Sequence, residues 1–431
     1  MVQEIKMNQK FDYIEKVNGN LELPGDKSIS HRAVMFSSMS KGESIIYNPS
    51  SAEDVKSTRK CFESLGVVFK DEADCLRVNG CGFKGFKIPE VFLDAGNSGT
   101  TARLISGVLC AQNFSARITG DESLSARPME RVITPLKLMG ANIESNNGKL
   151  PLLINPSDQL KAIEYELNVA SAQVKSSILL AGIHLDDYTS VIEMEITRDH
   201  TERMLGLKVT REKERKIISV SKGNYPEPKE YFIPSDISTA SFFIVLALFK
   251  ASPSIRIRNL SLNPTRTGMI EILKQMGAQI EIENMTNYMN EPAGDIVVRK
   301  SYLKNVKIDE SIIPNIIDEI PVLAVAGLFA EGEFRISGAS ELRKKESDRI
   351  RSIINNLRLT GIDIEEYHDG FAFEGKIKPM SFVFQSFNDH RIAMAFAVLS
   401  SLNQQGGEVS NFDCVSISNP EFLNQLSSIK G

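Results

Sequence analysis

Residues 24–50 read PGDKSISHRAVMFSSMSKGESIIYNPS: a polar turn, a helical run rich in small and apolar residues, then a short strand of alternating character. The same order recurs as AGNSGTTARLISGVL (95–109), VASAQVKSSILLAGIHLDDYTSVIEME (169–195) and PSDISTASFFIVLALFKASPSIRIRNLS (234–261). It appears again as IIDEIPVLAVAGLFAEGEFRISGAS (316–340) and FNDHRIAMAFAVLSSLNQQGGEVSN (387–411). The polar turns centre on Asp26, Asn97, Ser171, Asp236, Asp318 and Asp389, which lie 65 to 82 residues apart. A near-constant period of this kind marks repeated supersecondary units. Five copies are followed by a second helix closed by glycine and a strand: FESLGVVF, LKLMGANI, ERMLGLKV, LKQMGAQI and LRLTGIDI. Glycine just past a helix is what a left-handed C-cap requires. Each unit therefore reads strand, helix, strand, helix, strand, and six units predict two α/β domains of three units each.

Length and composition agree. A chain of 431 residues exceeds one ordinary core and predicts two domains of roughly 200 residues. The clearest internal boundary is the IPSDIST turn near 235, which gives 24–236 as the first domain and 237–431 as the second. The Ala, Ser and Gly content of the first helices lets helices approach closely, as an inner bundle surrounded by sheets requires.

Hydrophobic residues make up 42% and charged residues 24%, with net charge −5; this argues against a general binder of nucleic acid or anionic membrane. Any anion site must be a local concentration of cations. The longest apolar runs, FFIVLALF and IPVLAVAGLFA, are shorter than the ~18 residues of a membrane span, and the start MVQEIKMNQKFDY has no signal-type apolar stretch. A cytoplasmic protein is expected. Cys61, Cys75, Cys81, Cys110 and Cys414 form no Cys-x-x-Cys pair, and the five histidines form no His-Glu-x-x-His, so no metal and no disulfide framework are expected.

The helix mouths carry the chemistry. In GDKSISHR, Ser28 or Ser30 can cap the helix while Lys27 and Arg32 stand beside unpaired backbone N–H groups, an arrangement that attracts an anion. A nucleotide-binding G-x-x-x-x-G-K-[ST] loop is absent. GNSGTTAR offers Asn97, Gly99, Thr100 and Arg103; SAQVKS offers Ser171, Gln173 and Lys175; NDHR offers Asp389, His390 and Arg391. Loops add Arg127, Lys345, Glu346 and Arg349. So many cations predict a substrate bearing more than one phosphate or carboxylate. Asp318 and Glu346, set among them, suggest acid–base work.

Taken together, LPGDKSISHRA, DAGNSGTTARL, SARPMERVITPLKLMGA, ASAQVKSSILLAG, TRDHTERML, RKKESDRI and NDHRIAMAF resemble the 5-enolpyruvylshikimate-3-phosphate synthase family of enolpyruvyl transferases over nearly the whole chain. The resemblance implies a two-domain α/β fold, each domain three βαβαββ repeats with inner helices and outer sheets, closing over the substrates, with residues 1–23 joining the second domain. It implies transfer of the enolpyruvyl group of phosphoenolpyruvate to the 5-hydroxyl of shikimate 3-phosphate, with release of phosphate through a tetrahedral adduct and no cofactor. Lys27, Arg127, Glu346, Arg349 and Arg391 are then expected around phosphoenolpyruvate, with Gly99 in the wall beside it and Asn97 and Thr100 alongside. Ser28, Arg32, Ser171, Gln173, Asp318 and Lys345 are expected around shikimate 3-phosphate. Asp318 would handle the 5-hydroxyl proton, Lys27 and Glu346 the methylene proton, and His390 would assist.

The chain departs from the family pattern at three places. Ala172 stands where many relatives have a second Ser, leaving a backbone donor; Arg198 stands where others carry Ser, bringing a guanidinium to the phosphate; Ile417 stands where many have Lys. The short ERMLGLKV helix is expected to lie away from the chemistry. The small volume of Gly99 leaves room for glyphosate, and a monomer is expected. A UDP-N-acetylglucosamine enolpyruvyl transferase would carry GAKNA in place of GDKSIS and a cysteine in place of Glu122. A non-catalytic anion-binding relative is the other alternative.

Overall fold

Each polar turn of the repeat opens a helix: α1 (Lys27–Met39), α2 (Gly99–Leu109), α3 (Ala172–Gly182), α4 (Ile237–Lys250), α5 (Ile320–Phe329) and α6 (His390–Leu402). The computed structural model describes residues 8–378 and 380–431. Four of the six helices begin on a capping side chain that sits in the repeated turn itself. Asp26 accepts from the Ile29 N–H at 2.9 Å, Ser171 from Val174, Asp236 from Ser238 and Asp389 from Arg391. In α2 the cap is Ser98, one residue after Asn97. The first helix thus starts earlier than a Ser28 or Ser30 cap would place it. Ser30 is buried inside and accepts from the Ser50 N–H instead.

The described chain divides into two units. One comprises Pro24–Pro234 with Asn287–Glu291; the other takes the chain up to Leu23, Ser235–Thr286 and Pro292–Gly431.

In the first unit, α1, α2 and α3 pack as an inner bundle. Small residues make this possible: a Cβ on Gly107 of α2 would sit 2.1 Å from the carbonyl oxygen of Ser177 on α3, so only glycine permits that approach. Three four-stranded sheets cover the bundle. Their strand orders are Glu230–Phe232, Lys41–Tyr47, Cys75–Cys81, Val68–Asp71; then Leu93–Asp94, Ala116–Thr119, Lys149–Asn155, Asn142–Asn146; then Glu164–Glu166, Thr189–Glu193, Arg215–Val220, Lys208–Glu212. In each, a parallel edge strand joins an antiparallel set that ends in a hairpin. The edge strand Glu230–Phe232, which follows the third repeat, pairs with the first repeat's strand in the register Tyr231↔Ile46. That pairing closes the three repeats into a ring. The core runs from Ile29 through Leu104 and Ile178 to Ile233.

The second unit repeats the plan with a bundle of α4, α5 and α6; all 13 residues of α6 are buried. Its first sheet has the order Gln279–Tyr288, Glu291–Arg299, Ala251–Ser261, Val17–Leu21. The other two have three strands. One orders Phe334–Ile336, Gly370–Phe373, Ile364–Tyr367, and the other Asn8–Phe11, Gly407–Ser410, Val383–Gln385. After Gly407–Ser410 the chain turns into a 3-10 stretch, Phe412–Ile417, and the helix Phe422–Ser428. The N-terminal strand Asn8–Phe11 pairs antiparallel with Gly407–Ser410, the side on which other repeats have a hairpin.

The glycines that close the second helices adopt the left-handed conformation: φ is +92° at Gly66, +92° at Gly140, +62° at Gly206, +104° at Gly277 and +85° at Gly361. No single helix among the described residues is long and apolar enough to cross a membrane.

Candidate active site

The repeated turns place charge at helix mouths in both units. In the first unit, Lys27 opens α1, and its Nζ lies 2.8 Å from Asp54 Oδ2. One turn on, Arg32 is buried and spends three of its five N–H donors on neighbours: Nε donates to Thr201 Oγ1 at 2.7 Å, Nη1 to the Ser28 carbonyl at 2.9 Å and Nη2 to Ser176 Oγ at 2.9 Å. Burial brings the guanidinium down to about 10, although the nearby carboxylates of Glu202, Glu291 and Asp26 oppose the drop; Arg198, close enough to repel it, adds to the fall. Ser28, Arg32 and Arg198 thus form one positive locus. Beside it His31 is buried with Nδ1 2.6 Å from Thr58 Oγ1. Burial first, then Lys27 and Arg32, push its pKa well below the ordinary imidazole value, so it is neutral.

A second locus forms where α2 and α3 begin. Gln173 is clamped at both ends of its amide: Arg103 Nη1 donates to Oε1 at 2.8 Å and Nε2 donates to Thr100 Oγ1 at 3.0 Å. Arg127 follows the short helix Glu122–Ala126; its Nη2 donates to Asn97 Oδ1 at 3.1 Å and Ser123 Oγ at 3.3 Å. Asn97 in turn donates to Asp121 at 2.6 Å. A Cβ on Gly99 would meet Arg103 Nη1 at 2.5 Å and Arg127 Nη1 at 3.7 Å. Two guanidinium groups therefore flank the bare backbone of Gly99. Ser171 caps α3, and Ala172 is its first residue.

In the second unit, one carboxylate oxygen organises the cations. Asp318 Oδ1 lies 3.3 Å from Lys345 Nζ, 3.2 Å from Arg349 Nη1 and 3.9 Å from Arg391 Nε, and the Asp318 carbonyl accepts from Arg391 Nη1 at 3.1 Å. Asp318 caps no helix; Glu319 holds the N-cap position of α5. Arg349, only 1% exposed, also meets Glu346 Oε2 at 2.5 Å and Asp389 Oδ2 at 2.7 Å. Burial disfavours its charge, but Asp389, Glu346 and Asp318 more than offset that and hold it above the ordinary guanidinium value. Arg349 is thus committed to three carboxylates and acts as the hub of this set. His390, the first residue of α6, is buried. Glu319 backs the set from inside: its Oε1 lies 3.7 Å from Arg391 Nη1 and accepts from Ser238, whose Oγ accepts from Arg266 Nη2 at 2.5 Å.

The structure therefore gathers Asn97, Gly99, Thr100, Arg127 and Gln173 in one locus, Ser28, Arg32 and Arg198 in another, and Asp318, Lys345, Glu346, Arg349 and Arg391 in a third. The short helix His200–Leu205 carries the start of ERMLGLKV, and Thr201, the residue just before that segment, accepts from Arg32 Nε at 2.7 Å. Sequence reading missed Thr201, Ser176, Asp54 and Glu319. Ser176 had a signal, lying one helical turn from Ala172; Thr201, 169 residues from Arg32, had none beyond its place in TRDHTERML.

A family model described as EPSP synthase (3-phosphoshikimate 1-carboxyvinyltransferase) matches residues 11–426. A 3-phosphoshikimate 1-carboxyvinyltransferase of Petrotoga mobilis is 46% identical over 423 residues, covering 96% of this chain and 98% of that one. Its counterpart in Endomicrobium trichonymphae is 44% identical, covering 99% of each. Among solved structures, EPSP synthase from Acinetobacter baumannii superposes with TM-score 0.86 at 40% identity, covering 98% of both chains. The enolpyruvyl transferase NikO from Streptomyces tendae, 16% identical with TM-score 0.77 over 98% of this chain and 97% of its own, shares the fold. The chain belongs to the EPSP synthase (3-phosphoshikimate 1-carboxyvinyltransferase) family, and its mixed α/β architecture is the enolpyruvyl transferase fold.

Proposed function

We propose that the three loci serve one reaction, in which named residues take named steps. The activity is that of a 3-phosphoshikimate 1-carboxyvinyltransferase of the shikimate pathway, the route to the aromatic amino acids. Its substrates are shikimate 3-phosphate and phosphoenolpyruvate.

In this reading Ser28, Arg32, Ser171, the Ala172 backbone, Gln173 and Arg198 hold shikimate 3-phosphate, with Lys345 assisting. Lys27, Arg127 and Arg391 neutralise phosphoenolpyruvate beside Gly99, while Arg349 sets the carboxylates of Asp318 and Glu346. Such charge-assisted contacts stabilise doubly anionic ligands and the charge that develops between them. A proton from Lys27 or Glu346 reaches the methylene carbon and leaves cationic character at the adjacent carbon. Asp318 takes the proton of the 5-hydroxyl as its oxygen forms the new C–O bond there. The tetrahedral adduct then loses a methyl proton and expels phosphate, restoring the double bond. The balance is one enol ether and one phosphate from two substrates, and acid, base and cations supply every step.

The observation that carries this reading is Asp318 Oδ1, 8% exposed as a residue and set within 3.3 Å of both Lys345 and Arg349. Such a carboxylate is within reach of both cations and set to act on a substrate hydroxyl beside them. The test is phosphate release from phosphoenolpyruvate with shikimate 3-phosphate, with UDP-N-acetylglucosamine, or with no acceptor. Release only with the first supports the reading; release with the second, or with neither, defeats it.

Glyphosate, an anion resembling phosphoenolpyruvate, fits the same proposal at Gly99, flanked by Arg103 and Arg127. Inhibition is then competitive with phosphoenolpyruvate.

A further inference from the structure

Behind Arg32 lies an ionic ring with no part in the mechanism above. Lys175 Nζ sits 2.8 Å from Glu193 Oε1 and 2.7 Å from Glu202 Oε1, and Lys216 Nζ sits 3.1 Å from Glu193 Oε2 and 3.3 Å from Glu202 Oε1. The side chains of Lys175 and Glu193 are 0% exposed, that of Glu202 3% and that of Lys216 10%. Two positive and two negative groups alternate, so the ring is neutral. Burial, the largest single effect on Glu202, raises its pKa, but Lys175 and Lys216 outweigh it and hold the carboxyl below its usual range. Burial likewise lowers Lys216, and Glu202 and Glu193 reverse that. Glu202 and Lys216 therefore stay charged at neutral pH.

Stability alone does not explain such a ring, because desolvating four ions costs much of what their attraction returns, and apolar replacements of similar volume are often as stable. What the ring does fix is geometry. Its members come from α3, from the strands Thr189–Glu193 and Arg215–Val220, and from the six-residue helix His200–Leu205. A helix that short has little stability of its own and is held by tertiary contacts.

The neighbours of the ring members along the chain are the groups that meet the anion locus. Ser176 follows Lys175 and Thr201 precedes Glu202; their hydroxyls are 2.7 Å apart and accept from Arg32 Nη2 and Nε. Thr197 donates to Glu193 Oε1, and the next residue is Arg198. Ring members thus adjoin two of the three groups that hold Arg32, and Glu193 of the ring accepts from the residue that precedes Arg198.

We propose that Lys175, Glu193, Glu202 and Lys216 are positioning residues for shikimate 3-phosphate, acting through Ser176 and Thr201 on Arg32 and through Thr197 on Arg198. The inference rests on the assignment of Arg32 and Arg198 to that substrate.

The test is steady-state kinetics of the full chain carrying Glu193→Gln with Lys216→Met, a charge-balanced pair that leaves Lys175 facing Glu202. The KM for shikimate 3-phosphate should rise at least tenfold, the scale of effect expected when a binding group is displaced by a fraction of an ångström. The KM for phosphoenolpyruvate and kcat should stay within about twofold. Lys216→Arg, which keeps the charge, should retain the parent KM values. An unchanged KM for shikimate 3-phosphate in a folded double variant, or equal losses in both KM values and kcat, overturns the proposal. If the double variant does not fold, Thr197→Val tests the same link: a roughly threefold rise confined to shikimate 3-phosphate is expected, and no rise overturns it. Absence of phosphate release by the parent chain would instead defeat the underlying assignment, leaving the two failures distinct.

Discussion

Asp318 and Gly99 carry the sharpest consequences at the level of single residues. Asp318→Asn keeps the shape of the group but removes the proposed base, so kcat should fall by about 10²–10⁴, measured by phosphate release. A KM for phosphoenolpyruvate that stays near the parent value would separate lost chemistry from lost binding. Gly99→Ala places a methyl 2.5 Å from Arg103 Nη1, so that guanidinium, which donates to Gln173 Oε1, must shift. The inhibition constant for glyphosate should rise more than the KM for phosphoenolpyruvate, and equal rises in both would contradict the proposed shared pocket wall. Most of the candidate site residues were readable because each sits in a polar turn where the chain leaves a strand and opens a helix, or in a charged loop beside one. Thr201 and Ser176 were not: what ties them to the candidate site is a hydrogen bond to Arg32 across a long span of chain, and no local pattern encodes that. Glu319 was hidden for a similar reason, since its partners Ser238 and Arg391 come from two other repeats.

The repeat was legible at the level of elements because every copy solves the same local problem. A capping side chain ends five of the six turns, a helix of small and apolar residues follows each, and glycine closes the second helix of five copies. The cap glycines offer a clean comparison. Gly206 has φ +62°, and a Cβ there would meet nothing within 4 Å, so Gly206→Ala bears only the backbone cost of about 1 kcal/mol. Gly140 has φ +92° and a Cβ there would lie 2.2 Å from the Gln159 carbonyl oxygen, a backbone contact that cannot rotate away. Gly140→Ala should therefore destabilise by clearly more than Gly206→Ala in urea denaturation; equal losses would show that the clash relaxes. The last repeat was less legible. Its strand Gly407–Ser410 lacks a following hairpin and pairs with Asn8–Phe11, a partner at the other end of the chain that local periodicity cannot name. The short helix His200–Leu205 was hard to place from sequence because its partners, Arg32 at Thr201 and Lys175 and Lys216 at Glu202, come from distant elements.

Across the whole molecule, the acid response should be set first by histidines and only later by carboxylates. Burial holds His184 near 4 and, with Lys27 and Arg32, keeps His31 well below its ordinary value. The unfolded chain binds these protons from about pH 6.5 while the folded chain does not. Stability is therefore fully present above that pH and declines as pH falls toward 4, before carboxylates such as Glu202 contribute further loss. Thermal denaturation between pH 7.5 and 5 should show Tm falling below pH 6.5, and His184→Gln should flatten the slope; a Tm independent of pH in that window would contradict the neutral assignment. Fold class and reaction were both reachable from sequence because seven motifs spread over nearly the full chain agree. The most direct test of the central claim is phosphate release by the purified chain given phosphoenolpyruvate and shikimate 3-phosphate, compared with its Arg32→Ala and Asp318→Asn variants. The account predicts turnover that requires both substrates, a raised KM for shikimate 3-phosphate in Arg32→Ala and a collapsed kcat in Asp318→Asn. Undiminished turnover in both variants, or none in the parent chain, would contradict it.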